Sequence, residues 1–169
     1  MILDLNFLQI KKFTKKDITK EYIKFLNNKE NLKFSDQRHE NYNYKKCLSY
    51  LNKFRNSSNL FLKIIANKKL IGTLTCYVDI HNKNVQIGFL IGNKKTQNKG
   101  YATLVLKRLI VYFFKKKYKK ISCGMVEINK PMISVCKKNK MFLDAKLTKE
   151  KLIEKKFYDV LIYSTINKR

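Results

Sequence analysis

The sequence predicts one mixed α/β domain built on a strand-rich sheet, and three observations carry that expectation. Its 169 residues are enough for one domain with a real hydrophobic core. The apolar positions change period along the chain, from helical spacing to strand alternation and back again. No linker, repeat or low-complexity block interrupts them, so the domain is expected to span residues 1–169. The expected order of elements is β-α-α-β-β-β-α-β-α-β-β.

Residues 5–11 alternate well enough for a first strand. Thr14 and Asp17 offer N-cap side chains, and Ile18, Tyr22, Ile23 and Leu26 then recur at helical spacing. The polar stretch over residues 34–40 has no strong period and reads as a loop. Tyr44, Cys47, Leu48 and Leu51 mark a second amphipathic helix that ends near residues 56–59. Strands are expected over residues 60–66, 70–80 and 85–91, with turns at residues 67–69 and 81–84. A polar, basic segment follows, then a long helix over residues 101–115. Its Ala102, Val105, Leu106, Leu109, Ile110 and Phe113 share one face. A strand over 120–128, a short helix over 131–138 and a hairpin of residues 146–155 and 157–165 complete the domain.

Composition narrows the function classes. The formal net charge is +26. Clustered lysines would suit a phosphate backbone, yet the lysines here are spread along the whole chain and arginines are few. Lys, Asn, Ile, Phe and Tyr abound, Trp is absent and Pro occurs once, the pattern of an AT-rich coding bias on tolerant surface positions. Nucleic acid is therefore not the expected partner, although the positive field favours an anionic ligand. The longest apolar stretch, residues 104–114, is broken by Lys107 and Arg108, too short for a membrane span. The N-terminal residues lack the features of a signal peptide, so a cytoplasmic location is expected. Cys47, Cys76, Cys123 and Cys136 form no Cys-x-x-Cys pair and no zinc spacing, so neither disulfide nor metal is expected.

The chemistry is expected around residues 86–103. A buried strand ends, a loop bearing Lys94, Lys95 and Lys99 turns, and a helix begins immediately after Gly100. Helix starts leave backbone N–H groups unpaired at the positive end of the macrodipole, which suits phosphate. Glycine at the turn lets a pyrophosphate approach the backbone. A solvated, lysine-bearing turn is the plainer reading of the loop taken alone.

This succession resembles the GNAT acetyltransferases, particularly the branch similar to ribosomal-protein and sugar-amine N-acetyltransferases. Their pyrophosphate loop, Gln/Arg-x-x-Gly-x-Gly/Ala, is matched here by Gln97, Asn98, Lys99, Gly100, Tyr101 and Ala102. The preceding strand, residues 87–92, is similar to the family strand whose exposed backbone pairs with pantetheine. The later family segment Asn-x-x-Ser-Ile-x-Val/Leu-x-x-Lys-x-Gly-Phe aligns with residues 129–141, starting at Asn129. The resemblance implies a central, mostly antiparallel, mixed and twisted sheet flanked by helices and splayed at an acetyl-CoA site. It implies acetyl-CoA as donor, with Phe89, Leu90, Ile91, Asn129 and the six loop residues as its contacts, and no metal.

Four positions depart from the family pattern. Where many members carry a Glu as general base stands Gln86, and where many carry a Tyr as general acid stands Cys136. The motif's Ser is Met132 and its late Gly is Lys140. The family chemistry is direct attack of a neutral amine on the thioester, with positioning, oxyanion stabilisation and two proton transfers to arrange. Backbone N–H groups of residues 89–91 are the expected oxyanion donors. Glu127 is the first candidate base, through a water, against a plain strand-end carboxylate paired with a lysine. His39 is the runner-up, and His81 is expected to be merely exposed. Cys136 is the candidate proton donor to the CoA thiolate, against a small buried thiol.

For the acceptor, Arg38 and His39, beside Asp36 and Gln37, could grip an anionic or hydroxylated small molecule. The stretch resembles members that acetylate amino groups of nucleotide-linked sugars for surface polysaccharides. The expected partner is a small, anionic amine, and a homodimer is left open. Alternatives are acetylation of a protein N-terminus, a basic nucleic-acid-binding module, and a GNAT domain that binds CoA without catalysis.

Overall fold

The computed structural model describes residues 3–5, 7–91 and 99–168. Among them are eight strands and five α-helices, and the described ladders are antiparallel with one exception. The chain divides into two compact units. The first gathers the described residues up to Tyr77 with residues 89–91 and 99–101, and the second gathers Val78–Gly88 with residues 102–168.

In the first unit, β1 (Leu3–Leu5), β2 (Leu8–Lys12), β3 (Leu60–Ala66) and β4 (Lys69–Asp79) form an antiparallel meander whose last two residues pass into the second unit. The single strand expected over residues 5–11 is thus a hairpin, with Leu5 opposite Leu8. Asn67 and Lys68, both at positive φ, make the tight turn between β3 and β4 where Asn-Gly would be usual. Helices α1 (Lys20–Asn27), α2 (Lys29–Leu32) and α3 (Tyr44–Asn52) complete the unit. Thr19 caps α1 by accepting the Tyr22 amide at 3.1 Å, and Asn43 caps α3 by accepting the Lys46 amide at 2.9 Å. The stretch read as a loop contains a 3-10 turn, Asp36–His39, started by the Ser35 side chain. The polar side chains of Asn28 and Ser35 nucleate α2 and this turn without any apolar period, which is why periodicity misses both.

Phe13, Ile18, Tyr22, Leu26, Cys47, Phe54 and Phe61 form the buried core of this unit. The Phe13 ring lies 4.8 Å from those of both Tyr22 and Phe61, tilted against each, so an aromatic cluster ties α1 to the meander. Each such ring contributes about 1.5–3 kcal/mol through burial alone. Asn27 then grips the backbone of Tyr42 in both directions, donating to its carbonyl at 2.8 Å and accepting its amide at 2.7 Å. That clamp fixes where the segment bearing Arg38 and His39 re-enters the fold.

In the second unit, β5 (Asn84–Ile91) contributes its first five residues, and β6 (Lys120–Val126), β7 (Phe142–Ile153) and β8 (Lys156–Ile166) follow. β5 pairs with β6 in parallel, β6 with β8 antiparallel, and β8 with β7 antiparallel. Helix α4 (Tyr101–Lys115) buries Val105, Leu106, Leu109 and Phe113, four members of the face that its sequence predicts. Helix α5 (Lys130–Lys138) starts on Asn129 with Pro131 in its first turn, where the missing N–H costs nothing. β7 starts four residues earlier than expected, at Phe142, because Asp144 is pinned by Lys120 at 2.5 Å and by the Ser164 hydroxyl at 2.9 Å. The turn after β4 is an Asx turn in which Asp79 accepts the amides of His81 and Asn82, leaving His81 exposed as expected.

Asn139 caps the C-terminus of α5, and Lys140 follows at φ 57°, a left-handed position where glycine is the usual residue. Lys140→Gly is expected to stabilise the protein by about 1 kcal/mol, because a β-carbon there costs about 1–2 kcal/mol. Thermal denaturation reads this as a higher Tm; an unchanged or lower Tm contradicts it.

Candidate active site

The two units each carry part of the expected machinery. In the first, residues 99–101 bring the chain into α4. Gly100 has φ +74°, a conformation that L side chains rarely adopt, and it is exposed. Among the described residues, a β-carbon built there would meet nothing within 4 Å. A positive-φ glycine ahead of a helix with no acidic residue in its first turn fits a pyrophosphate. Ala102 is half-buried in the helix, and the Tyr101 hydroxyl stands 3.5 Å from the Asn67 side-chain amide. Gln97 and Asn98, with Lys94 and Lys95, lie outside the described residues.

β5 is held and released along its length. Its parallel ladder to β6 runs over three pairs, from Asn84 opposite Lys120 to Gln86 opposite Ser122. β6 continues to Val126 in register with β8. The end of β5, Phe89, Leu90 and Ile91, belongs to the first unit and is half-buried, with Leu90 packed on the aromatic core. Gly72 of β4 lies directly against this end. A β-carbon on Gly72 would collide with the Leu90 carbonyl oxygen and stand 2.9 Å from the Ile91 Cα. Sequence reading missed Gly72, and the signal was available, because a lone glycine inside a strand marks a bulge or a close backbone approach.

Of the two residues expected to hold the acceptor, Arg38 is half-buried and His39 exposed. The Arg38 guanidinium donates to the Ser35 carbonyl at 2.9 Å and faces the Asp36 carboxylate at 3.6 Å. Its local partner is therefore the acid two residues before it. β4 also carries two buried hydroxyls, Thr73 and Thr75. Tyr50 of α3 meets the Thr75 hydroxyl at 3.3 Å, and burial pushes its phenol up to about 12. This polar pair, inside an otherwise apolar layer, was not singled out from the sequence either.

In the second unit, Glu127 ends β6 in a reciprocal pair with β8. Its amide donates to the Asp159 carbonyl at 2.9 Å, and its Oε1 accepts the Asp159 amide at 3.0 Å. One carboxylate oxygen thereby holds the strand end, and the half-buried side chain has a fixed direction. Asn129 caps α5, its Oδ1 accepting the Met132 amide at 3.3 Å. Gln86 is exposed on β5, and its Nε2 lies near where a side chain on Gly124 would begin. Cys136 of α5 is fully buried, and hydrogen bonding from Cys123 of β6 outweighs burial to hold its thiol below the ordinary range. Cys76, by contrast, is pushed up to about 12 by burial alone. Among the described residues there is no cluster of His, Cys, Asp or Glu able to hold a metal ion. Nor, among the described residues, is any helix long and apolar enough to cross a membrane.

The model of the acetyltransferase (GNAT) domain family matches residues 8–141. A sequence search of curated proteins finds no match. Among solved structures, the chain is similar to the ribosomal-protein alpha-N-acetyltransferase RimL, crystallised with CoA joined to one of its cysteines by a disulfide. The TM-score is 0.86 at 16% identity, over 98% of this chain and 97% of that one. It is also similar to the microcin self-immunity acetyltransferase MccE with acetyl-CoA and AMP, with a TM-score of 0.84 and 22% identity over 96% and 93% of the chains. A third is the spermidine N-acetyltransferase of Vibrio cholerae with CoA and spermine, with a TM-score of 0.82 and 18% identity over 95% of each. At these identities the likenesses establish the fold.

With the family model spanning most of its length, the chain belongs to the GNAT acetyltransferases. It is an acetyl-CoA-dependent N-acetyltransferase of mixed, mostly antiparallel α/β fold. Acetyl-CoA supplies the activated acetyl group.

Gly72→Ala should push the Leu90 carbonyl out of place. It is expected to raise KM for acetyl-CoA about tenfold, equivalent to about 1.4 kcal/mol. Steady-state kinetics at saturating acceptor measure this, and an unchanged KM refutes the positioning role.

Proposed function

We propose that the protein acetylates the primary amine of a small anionic acceptor, with the amino group of a nucleotide-linked sugar as the leading case. The observation that carries this reading is the formal charge of +26, which attracts phosphate-bearing acceptors and repels a polycation such as spermine. Arg38 adds a guanidinium fork for a phosphate or carboxylate, exchanging its 3.6 Å contact with the exposed Asp36 for the ligand. MccE, solved with AMP, is a GNAT fold that accommodates a nucleotide, which supports the choice. Cytoplasmic placement accords with such an acceptor.

On this reading residues 1–169 act as one catalytic domain. The pyrophosphate is held by Gln97, Asn98, Lys99, Gly100, Tyr101 and Ala102, and the pantetheine pairs with the backbone of Phe89, Leu90 and Ile91. Asn129 borders the same site. The amine attacks the thioester carbonyl, and a backbone N–H of residues 89–91 takes the developing oxyanion. Glu127, held by the Asp159 amide, draws the amine proton through a water. His39 is the second candidate for that base. Cys136 protonates the departing CoA thiolate, a role that its lowered thiol pKa suits. The CoA-bound cysteine of RimL supports a cysteine standing beside the CoA sulfur in this fold.

The likeness to RimL favours a second reading, in which the acceptor is a protein N-terminus. The two separate in one experiment. Calorimetric titration of acetyl-CoA is expected to show saturable binding to the wild type and none to Gly100→Glu. An acetyl-transfer screen of nucleotide-linked amino sugars, free amino sugars, N-terminal peptides and spermine follows. The nucleotide-linked sugars are expected to give the highest kcat/KM, falling with ionic strength as the field is screened. A preference for peptides establishes the second reading, and a preference for spermine removes both.

Glu127→Gln keeps the oxygen that accepts the Asp159 amide and removes the charge. It is expected to lower kcat about 100-fold, within the range of general base catalysis, with acetyl-CoA affinity unchanged. An unchanged kcat excludes Glu127 as the base.

A further inference from the structure

The hairpin of β7 and β8 differs from the rest of the molecule in three ways. β7 ends the sheet order, pairing with β8 on one side and with no described strand on the other. Six of the twelve large hydrophobic side chains exposed among the described residues stand here. They are Phe142, Leu143, Leu147, Leu152, Phe157 and Ile166, each 44–58% exposed. The hairpin is also nearly neutral. Residues 142–166 carry five lysines and four acids, a net charge of +1, which leaves +25 to the other residues of the chain. Two of those acids are tied to lysines, Asp159 to Lys146 at 2.7 Å and Asp144 to Lys120 at 2.5 Å. An exposed apolar edge strand without proline is a template for another strand.

We propose that this edge is the interface between two copies of the chain, their β7 strands adding antiparallel across a two-fold axis. Charge selects the occupant. Two molecules of net charge +26 repel each other, and they meet least repulsion where the local charge is +1. An acidic partner is drawn elsewhere, since residues 92–119 carry nine basic and no acidic side chains. Geometry selects edge addition over a ligand on one face. Phe142 opposite Ser164 and Leu147 opposite Val160 lie on one face of the hairpin. Leu143 opposite Tyr163 and Leu152 opposite Phe157 lie on the other. An added strand alternates its own side chains and so covers both faces at once. The register of β7 against β8 breaks after Leu143 and again after Leu147. Such irregular edges limit open-ended pairing, and a two-fold pair uses up the edge on which it is built. The inference depends neither on the acceptor nor on the choice of base.

The test is sedimentation equilibrium of the whole chain from about 1 to about 100 µM, at about 0.05 M and about 0.5 M salt, between which the screening length falls about threefold. The wild type is expected to reach twice the chain mass, with a Kd about tenfold lower at the higher salt as self-repulsion is screened. The double variant Leu143→Thr, Leu147→Thr keeps the charge and the strand propensity. It is expected to raise Kd about tenfold or more, the loss of two apolar contacts. Val111→Ser removes an exposed apolar side chain from α4 of the same unit and is expected to leave Kd unchanged. Far-UV circular dichroism establishes that the variants are folded. If the double variant unfolds, hydrogen exchange of the wild type decides, with amides of residues 142–147 expected to exchange faster on dilution from dimer to monomer. A monomer at every concentration and salt overturns the proposal. So does a dimer that salt weakens, a folded double variant that dimerises like the wild type, or β7 amides that ignore dilution.

Discussion

β5 obeys two constraints at once, and the proposed chemistry depends on both. Its start is bound into the parallel ladder with β6 through Gln86. Its end is pressed against Gly72 of β4, close enough that no side chain fits between them. Backbone amides are strong groups that must find partners, so a strand end lying beyond its neighbour's ladder is a natural place for a ligand backbone to pair. The pantetheine arm is such a ligand. In the proposed site Gly100, at positive φ ahead of α4, does the complementary task for phosphate.

Proton handling must be built from other residues than those usual in the family, because Gln86 cannot act as a base and position 136 is a cysteine. The proposed substitutes are Glu127, whose Oε1 accepts the Asp159 amide, and Cys136. On the proposed reading, long-range charge acts on the acceptor instead. A net charge of +26 sets the sign of the acceptor that gains from approach, whatever the origin of the lysines.

Much of the fold was legible in the sequence because it rests on periodicity. α4 matches the expected residues 101–115, and β3 the expected 60–66. The small elements that were missed, β1, α2 and the 3-10 turn at Asp36–His39, are too short to show a period, and the last two are started by the side chains of Asn28 and Ser35. Within the candidate site, Gly100 was legible from its motif. Gly72 was not, since its role depends on which strand packs alongside. Composition also hides turns. Six of the nine described non-glycine residues at positive φ are lysines, so the usual Gly signals are missing at several corners. Lys140 is the clearest case, standing in a left-handed position where the family motif has glycine.

Amide hydrogen exchange with and without saturating acetyl-CoA tests the central claim most directly, since it reads the backbone groups that the cofactor should engage. Slowed exchange concentrated at residues 89–91 and at 100–103 is the result expected. Protection located elsewhere, with those amides unchanged, would contradict the account.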